Sequence, residues 1–260
     1  MPVLHFMKLI ANIGNTNTGW GLTESPGKIK KIKESATATG KTALNNSLKK
    51  ILSFIKPDGI IISGVVPEIV ELLAKCSESF FDKKEIFVLG FEEFGKLMDI
   101  DVKPKILPGT DRLANAFALK KFYNTPACVI DVGTAVTIDV VDANGSFIGG
   151  SIGPGEKLQF SALQSFTAQL GQIKSLPKSV PAVGKTTAEA MAIGIRRSIP
   201  WGIMGVITGI EEMFARNLKS IVITGGGGLE TCMFLEKVYH DIIYDEICTI
   251  KGLAAAYWEL

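Results

Sequence analysis

The chain has little histidine or cysteine: two of the first (His5, His240) and four of the second (Cys76, Cys128, Cys232, Cys248) in 260 residues. No two cysteines stand at metal-ligand spacing and two histidines cannot complete a set, so no zinc site is expected. Scattered cysteines with mostly apolar flanks read instead as reduced core thiols of a cytoplasmic protein. Excess charge is also missing. The formal net charge is +2, and the densest cationic cluster, Lys30, Lys31 and Lys33, reads as a solvated turn or edge strand, so no nucleic-acid partner is expected. The longest uncharged stretch, residues 158–173, is interrupted by Gln, Ser and Thr and is too polar to span a bilayer, so no membrane partner is expected either. The first residues, MPVLHFMKLI, lack the charged start and cleavage site of a secretory signal. A first strand would begin naturally at Met7, which leaves residues 1–6 as an upstream start or extension.

Two glycine-centred segments, by contrast, resemble each other. Leu9-Ile10-Ala11-Asn12-Ile13-Gly14-Asn15-Thr16 and Val129-Ile130-Asp131-Val132-Gly133-Thr134-Ala135 each run from an apolar strand through an Asx residue to Gly and a small polar residue. More strand follows each, over residues 18–22 and 136–141. Asn12 and Asp131 lie close to half the chain apart, the spacing of a duplicated domain and not of a short solenoid repeat. Asn144-Gly145 between two β-rich runs predicts a hairpin, and Glu24-Ser25-Pro26-Gly27 a weaker one. Helical spacing over residues 44–55 and 67–77 alternates with buried-strand patterns at 59–66, 86–89 and 220–224. The fold class read from this is α/β, with two similar mixed sheets flanked by helices.

Three places offer chemistry. A strand that ends in a tight glycine turn and doubles back can present backbone N–H groups to phosphate oxygens, and two such turns can grip one polyphosphate. Asn15, Thr16 and Thr134 add short donors, although a single such turn is equally an ordinary hairpin. The second place is Gly109-Thr110-Asp111-Arg112, a turn and N-cap signature before a helix over residues 112–120. Either Asp111 is only a helix cap, or its carboxylate takes a hydroxyl proton while Arg112 holds an anionic substrate. The third is Thr224 and the four glycines 225–228, which admit close approach of a nucleotide or form a plain turn. No Gly-Lys-Ser/Thr follows them, so this is not a Walker A loop.

These segments, with Gly149-Gly150-Ser151-Ile152-Gly153-Pro154-Gly155, Ala162-Leu163, Thr167-Ala168 and the run from Gly184 to Met191, resemble in order and spacing the successive motifs of type III pantothenate kinases. The likeness covers nearly the whole chain. It implies duplicated actin-like ATPase (ribonuclease H-like) domains, at residues 1–118 and 119–260, and MgATP-dependent phosphorylation of the primary hydroxyl of pantothenate, the first step of coenzyme A synthesis. Residue by residue, it implies that Asn12, Ile13, Gly14, Asn15, Thr16, Asn17, Thr18 and Gly19 form the first phosphate loop. Gly133, Thr134, Gly225 and Gly226 would also contact ATP. Asp111 would be the general base, Gly109, Thr110, Arg112 and Thr187 would hold pantothenate with it, and Asp131 would bind a monovalent cation, K⁺ or NH₄⁺. The resemblance further implies a homodimer formed through the second domain, and the apolar stripe Leu158, Ala162, Leu163, Phe166, Leu170 predicts one helix over residues 158–170 buried against both its own sheet and a partner.

Two departures accompany the resemblance. Asn12 stands where the family usually carries an aspartate that helps hold Mg²⁺, and residues 102–105 offer no tyrosine before the Gly109-Thr110-Asp111-Arg112 motif. They define an alternative, a weak or non-catalytic regulatory paralogue of the kind first known as Bvg accessory factors. A different actin-like enzyme, such as a sugar kinase or polyphosphatase, is the third reading.

Overall fold

A computed structural model describes residues 7–103, 107–239 and 241–260; residues 1–6, Pro104, Lys105, Ile106 and His240 lie outside the described residues. Its strands form two five-stranded sheets. In the first, β1 (Lys8–Ile13) pairs antiparallel with β2 (Asn17–Ser25) and parallel with β4 (Gly59–Gly64). Outside these lie β3 (Lys28–Ala36), antiparallel to β2, and β5 (Ile86–Val88), parallel to β4. In the second, β6 (Ala127–Val132) is flanked by β7 (Ala135–Val141) and β9 (Ser220–Thr224), with β8 (Phe147–Pro154) and β10 (Ile242–Tyr244) at the edges. Counted outward from β1 and from β6, both sheets have one order: the next two strands in sequence on one side, the two later ones on the other. The near half-chain repeat of the glycine turns is thus a repeat of topology.

Eight helices accompany them among the described residues: α1 (Lys41–Leu52), α2 (Pro67–Ser77), α3 (Phe91–Leu97), α4 (Thr110–Phe122), α5 (Glu156–Phe166), α6 (Thr187–Phe214), α7 (Gly228–Leu235) and α8 (Cys248–Glu259). β1 and β4 are apolar on consecutive positions because both faces are covered: Leu9, Ile10, Ala11, Ile60, Ile61 and Ile62 are all fully buried. Leu44, Leu48 and Ile51 of α1 and Ile69, Val70, Leu73 and Cys76 of α2 recur at helical spacing and pack into one core with Leu9, Ile60 and Ile62. Pro67 opens α2, where its missing N–H costs no hydrogen bond. β3 is an edge strand, and its lysines are what keeps such an edge from pairing further. All four cysteines are buried, and none forms a disulfide.

The chain divides into two compact units that interleave in sequence. One contains the residues up to Ala127 with Asp139–Gly149 and Ile247–Leu260, the other Cys128–Ile138 and Gly150–Glu246. Within the first, the C-terminal helix packs on α4: a side chain at Gly252 would collide with the Ala114 carbonyl, and Thr249 donates to buried Asn115 Oδ1 at 2.7 Å. Helix α4 is buried along its length from Leu113 to Leu119, which fixes the position of its first turn.

One expected helix is shorter than its apolar stripe. α5 stops at Phe166, where Thr167 turns extended and donates its hydroxyl to the Leu163 carbonyl at 2.7 Å; Leu170 falls in a separate 3-10 turn. No residue of α5 is buried within the chain, and Phe166 is 88% exposed, so the expected burial against the chain's own sheet is corrected to exposure.

Candidate active site

In the first unit, the β1–β2 turn and the start of α4 meet at the carboxyl ends of β1 and β4. Gly14 N–H donates to the Asn17 carbonyl at 2.9 Å and closes the turn. The turn is tied to the chain beyond β3, since Thr37 donates its hydroxyl to the Gly14 carbonyl at 2.8 Å and its N–H to the Thr16 carbonyl at 2.9 Å. Asn15, Thr16 and Asn17 are exposed, but the Asn17 amide is committed to Glu34 Oε1 at 2.7 Å. Thr18 is buried, within 3.2 Å of the Thr37 hydroxyl, and Gly19 lies in β2 opposite Asn12. Asn12 Oδ1 is buried with no hydrogen-bond partner.

Ile13 and Gly64 face each other in the parallel β1–β4 register, and any side chain at Gly64 would collide with Ile13. Val65 N–H donates to the Ile13 carbonyl at 2.9 Å, and the Thr110 hydroxyl to the Gly64 carbonyl at 3.0 Å. The glycine therefore draws α4 onto the end of β1. The N-cap of α4 is Gly109, without a side-chain cap, and Asp111 is its second residue. The reading of Asp111 as the cap is thus corrected. Its Oδ1 accepts instead from Arg112 N–H at 2.8 Å, and it lies over Gly109, where an added Cβ would stand 2.6 Å from it. Burial raises the Asp111 pKa above the ordinary aspartate value, opposed by that N–H and by the Arg112 charge. Arg112 turns to Asp139, its Nε donating to Oδ1 at 2.6 Å, with its guanidinium carbon 5.7 Å from the centre of the Phe147 ring.

In the second unit, Gly133 N–H donates to the Ala135 carbonyl at 2.9 Å and Gly155 N–H to the Thr134 carbonyl at 3.0 Å. In both glycine turns the glycine's own N–H is therefore consumed in closing the turn. Gly225 (φ +87°) packs against Asp131 and Val132 so closely that a side chain there would strike both, and Gly227 N–H donates to the Val132 carbonyl at 2.9 Å. The structure thus brings Asp131, Gly133 and the turn at residues 225–228, which holds Gly226, to one end of β6. Thr187 is exposed at the first position of α6, beside a capping box in which Glu189 accepts from Lys185 N–H at 2.8 Å and Thr186 N–H at 3.0 Å. Those bonds lower the Glu189 pKa.

Sequence reasoning missed Thr37, Gly64 and Asp139. Only Asp139 carried a signal: a carboxylate inside the apolar run Val136–Val141 demands a partner.

A family model described as type III pantothenate kinase matches residues 8–213. The chain is 32% identical over 258 residues to a type III pantothenate kinase of Listeria monocytogenes serovar 1/2a, covering 96% of each. Among solved structures, it resembles a chain assigned to the Baf family of transcriptional activators from Campylobacter jejuni, with TM-score 0.60, 19% identity and coverage of 96% and 98%. A ROK family glucokinase of Streptomyces griseus, in complex with glucose and AMPPNP, gives TM-score 0.55 at 12% identity with coverage of 96% and 97%. At such identities these two show the fold alone, which is that of actin-like ATPases and sugar kinases.

Proposed function

This chain belongs to the type III pantothenate kinase family, and from that premise we propose that it phosphorylates the primary hydroxyl of pantothenate with MgATP. The observation that carries the reading is Asp111: a half-buried carboxylate at the start of α4, next to the end of β1, with its proton affinity raised by burial. That is the environment of a base that must take a proton from an alcohol near neutral pH. Phosphoryl transfer asks for alignment and charge neutralisation more than for covalent chemistry. Asp111 orients the hydroxyl, and Gly109, Thr110, Arg112 and Thr187 hold the acceptor. Residues 12–19, Gly133, Thr134, Gly225 and Gly226 take the nucleotide.

The residues present fit the expected ions. Asn12 Oδ1 is a buried oxygen without a hydrogen-bond partner. Among the described residues no cluster of three His, Cys, Asp or Glu could hold a metal, and Mg²⁺ bound to a nucleotide takes most of its ligands from phosphate and water. Asn12 would hold it as a neutral ligand. Asp131, its carboxylate against the bare backbone of Gly225, would hold K⁺ or NH₄⁺. When bound, the ions neutralise charge on the phosphates. Asn12, lacking the family's charge, makes this a weak kinase. The reading includes a cytoplasmic location, a homodimer, and duplicated domains at residues 1–118 and 119–260.

ADP release coupled to a spectrophotometric readout, with pantothenate present or omitted and with K⁺ or Na⁺, tests it. Pantothenate-dependent ADP release is expected; its absence at saturating MgATP and K⁺ overturns the reading in favour of a binding-only paralogue.

A further inference from the structure

We infer that Asp139 is a positioning residue that holds the Arg112 guanidinium in the orientation in which it takes the carboxylate of the acceptor. The inference rests on the proposed function and adds to it the device by which an anionic acceptor is preferred. Asp139 lies within β7 with its side chain fully buried, whereas the Arg112 side chain is 15% exposed. The 2.6 Å bond from Nε to Asp139 Oδ1 and the Phe147 ring 5.7 Å away fix the guanidinium on one edge and against one surface. Because Nε is the bonded atom, the opposite, Nη-bearing edge is the one that this bond leaves to a ligand. That edge is a planar fork matched to a carboxylate.

An arginine in the first turn of a helix would otherwise sample many rotamers, and ordering it on binding would weaken the complex. A carboxylate in an apolar strand adds little to stability compared with a hydrophobic residue of the same size. Its physical effect here is to orient the cation beside Asp111. A contrary role has the opposite sign: if Asp139 merely neutralised Arg112, it would compete with the acceptor's carboxylate, and removing it would tighten binding.

Steady-state kinetics of Asp139→Leu and Asp139→Asn, with pantothenate and with the analogue whose carboxylate is replaced by a neutral alcohol, separate these. In Asp139→Leu the KM for pantothenate should rise about tenfold or more, while the KM values for ATP and for the neutral analogue stay within about twofold. The wild-type preference for the charged acceptor then collapses. Asp139→Asn keeps an acceptor for Nε and should recover most of the preference; should the leucine variant not fold, a rise of about threefold confined to pantothenate in the asparagine variant supports the inference alone. An unchanged or lower KM for pantothenate overturns it, as does a parallel rise for all three ligands. Wild type that phosphorylates both acceptors without preference overturns this inference and leaves the proposed function standing. Wild type that phosphorylates neither overturns both.

Discussion

Gly109 and Asp111 are coupled through space: a Cβ at Gly109 would stand 2.6 Å from Asp111 Oδ1 and 3.1 Å from the Val65 side chain. The backbone of Gly109 (φ −58°, ψ 142°) suits any residue, so the glycine is required by the carboxylate beside it and not by the turn. Gly109→Ala should therefore fold normally and shift the carboxylate. Misplacement by about 1 Å costs on the order of 10²-fold in rate. Activity and circular dichroism measured together check this; a fully active alanine variant would remove Asp111 from the reacting centre.

Asp111→Asn should lower kcat by roughly 10²–10⁴-fold, the usual worth of a general base. Burial holds the folded-state pKa above the unfolded one. The stabilising contribution of this group is thus full below the ordinary aspartate value and is lost as pH rises through the folded-state value. Asn removes that loss, so the variant should melt higher than wild type at pH 8. Wild-type kcat/KM should climb with pH through the raised pKa, and turnover of the variant within threefold of wild type would refute the assignment.

Activity should depend on K⁺ or NH₄⁺ and be poorly supported by Na⁺. Asp131→Ala should abolish the dependence together with most activity. Gly225→Ala should do the same while also destabilising the fold, because its φ of +87° disfavours a side chain and the new Cβ strikes the carboxylate. Equal rates in sodium and potassium buffers would make Asp131 an ordinary strand-end residue.

Asn12 should make the Mg²⁺ requirement unusually high. Replacing a carboxylate near Mg²⁺ by an amide forfeits an attraction on the order of a few kcal/mol at an effective dielectric near 20. Asn12→Asp should lower the Mg²⁺ concentration needed for half-maximal rate and raise turnover by about tenfold. Calorimetric titration of MgATP supplies a second readout. Fast wild-type turnover at sub-millimolar Mg²⁺ would show that the charge is dispensable here.

Ile152, Leu158, Phe166 and Trp201 are 66%, 45%, 88% and 59% exposed in the single chain. All four belong to the second unit, where a homodimer would cover them. Light scattering at micromolar concentration should give twice the 27.9 kDa of one chain, and Phe166→Glu should shift the mass toward the monomer. A monodisperse wild-type monomer would count against the dimer.

Most elements were legible in the residues alone, because they follow from interactions within a few positions. Pro67 and the apolar spacing behind it define α2, Asn144-Gly145 the turn after β7 (Gly145 has φ +83°), and residues 220–224 the strand β9. The two glycine turns at half-chain spacing announced the duplicated sheets, and the start of α4 was visible as Gly109-Thr110-Asp111-Arg112. Only the tertiary structure decided what surrounds these residues. That Gly109 caps α4, that Thr37 ties the first turn, that α8 packs on α4 and that Arg112 turns to Asp139 all involve partners without a fixed spacing in the chain. Local periodicity dictates which face of an element is apolar. Which charge a half-buried arginine meets depends on how sheets and helices close around it, and that is settled only when the whole core is packed.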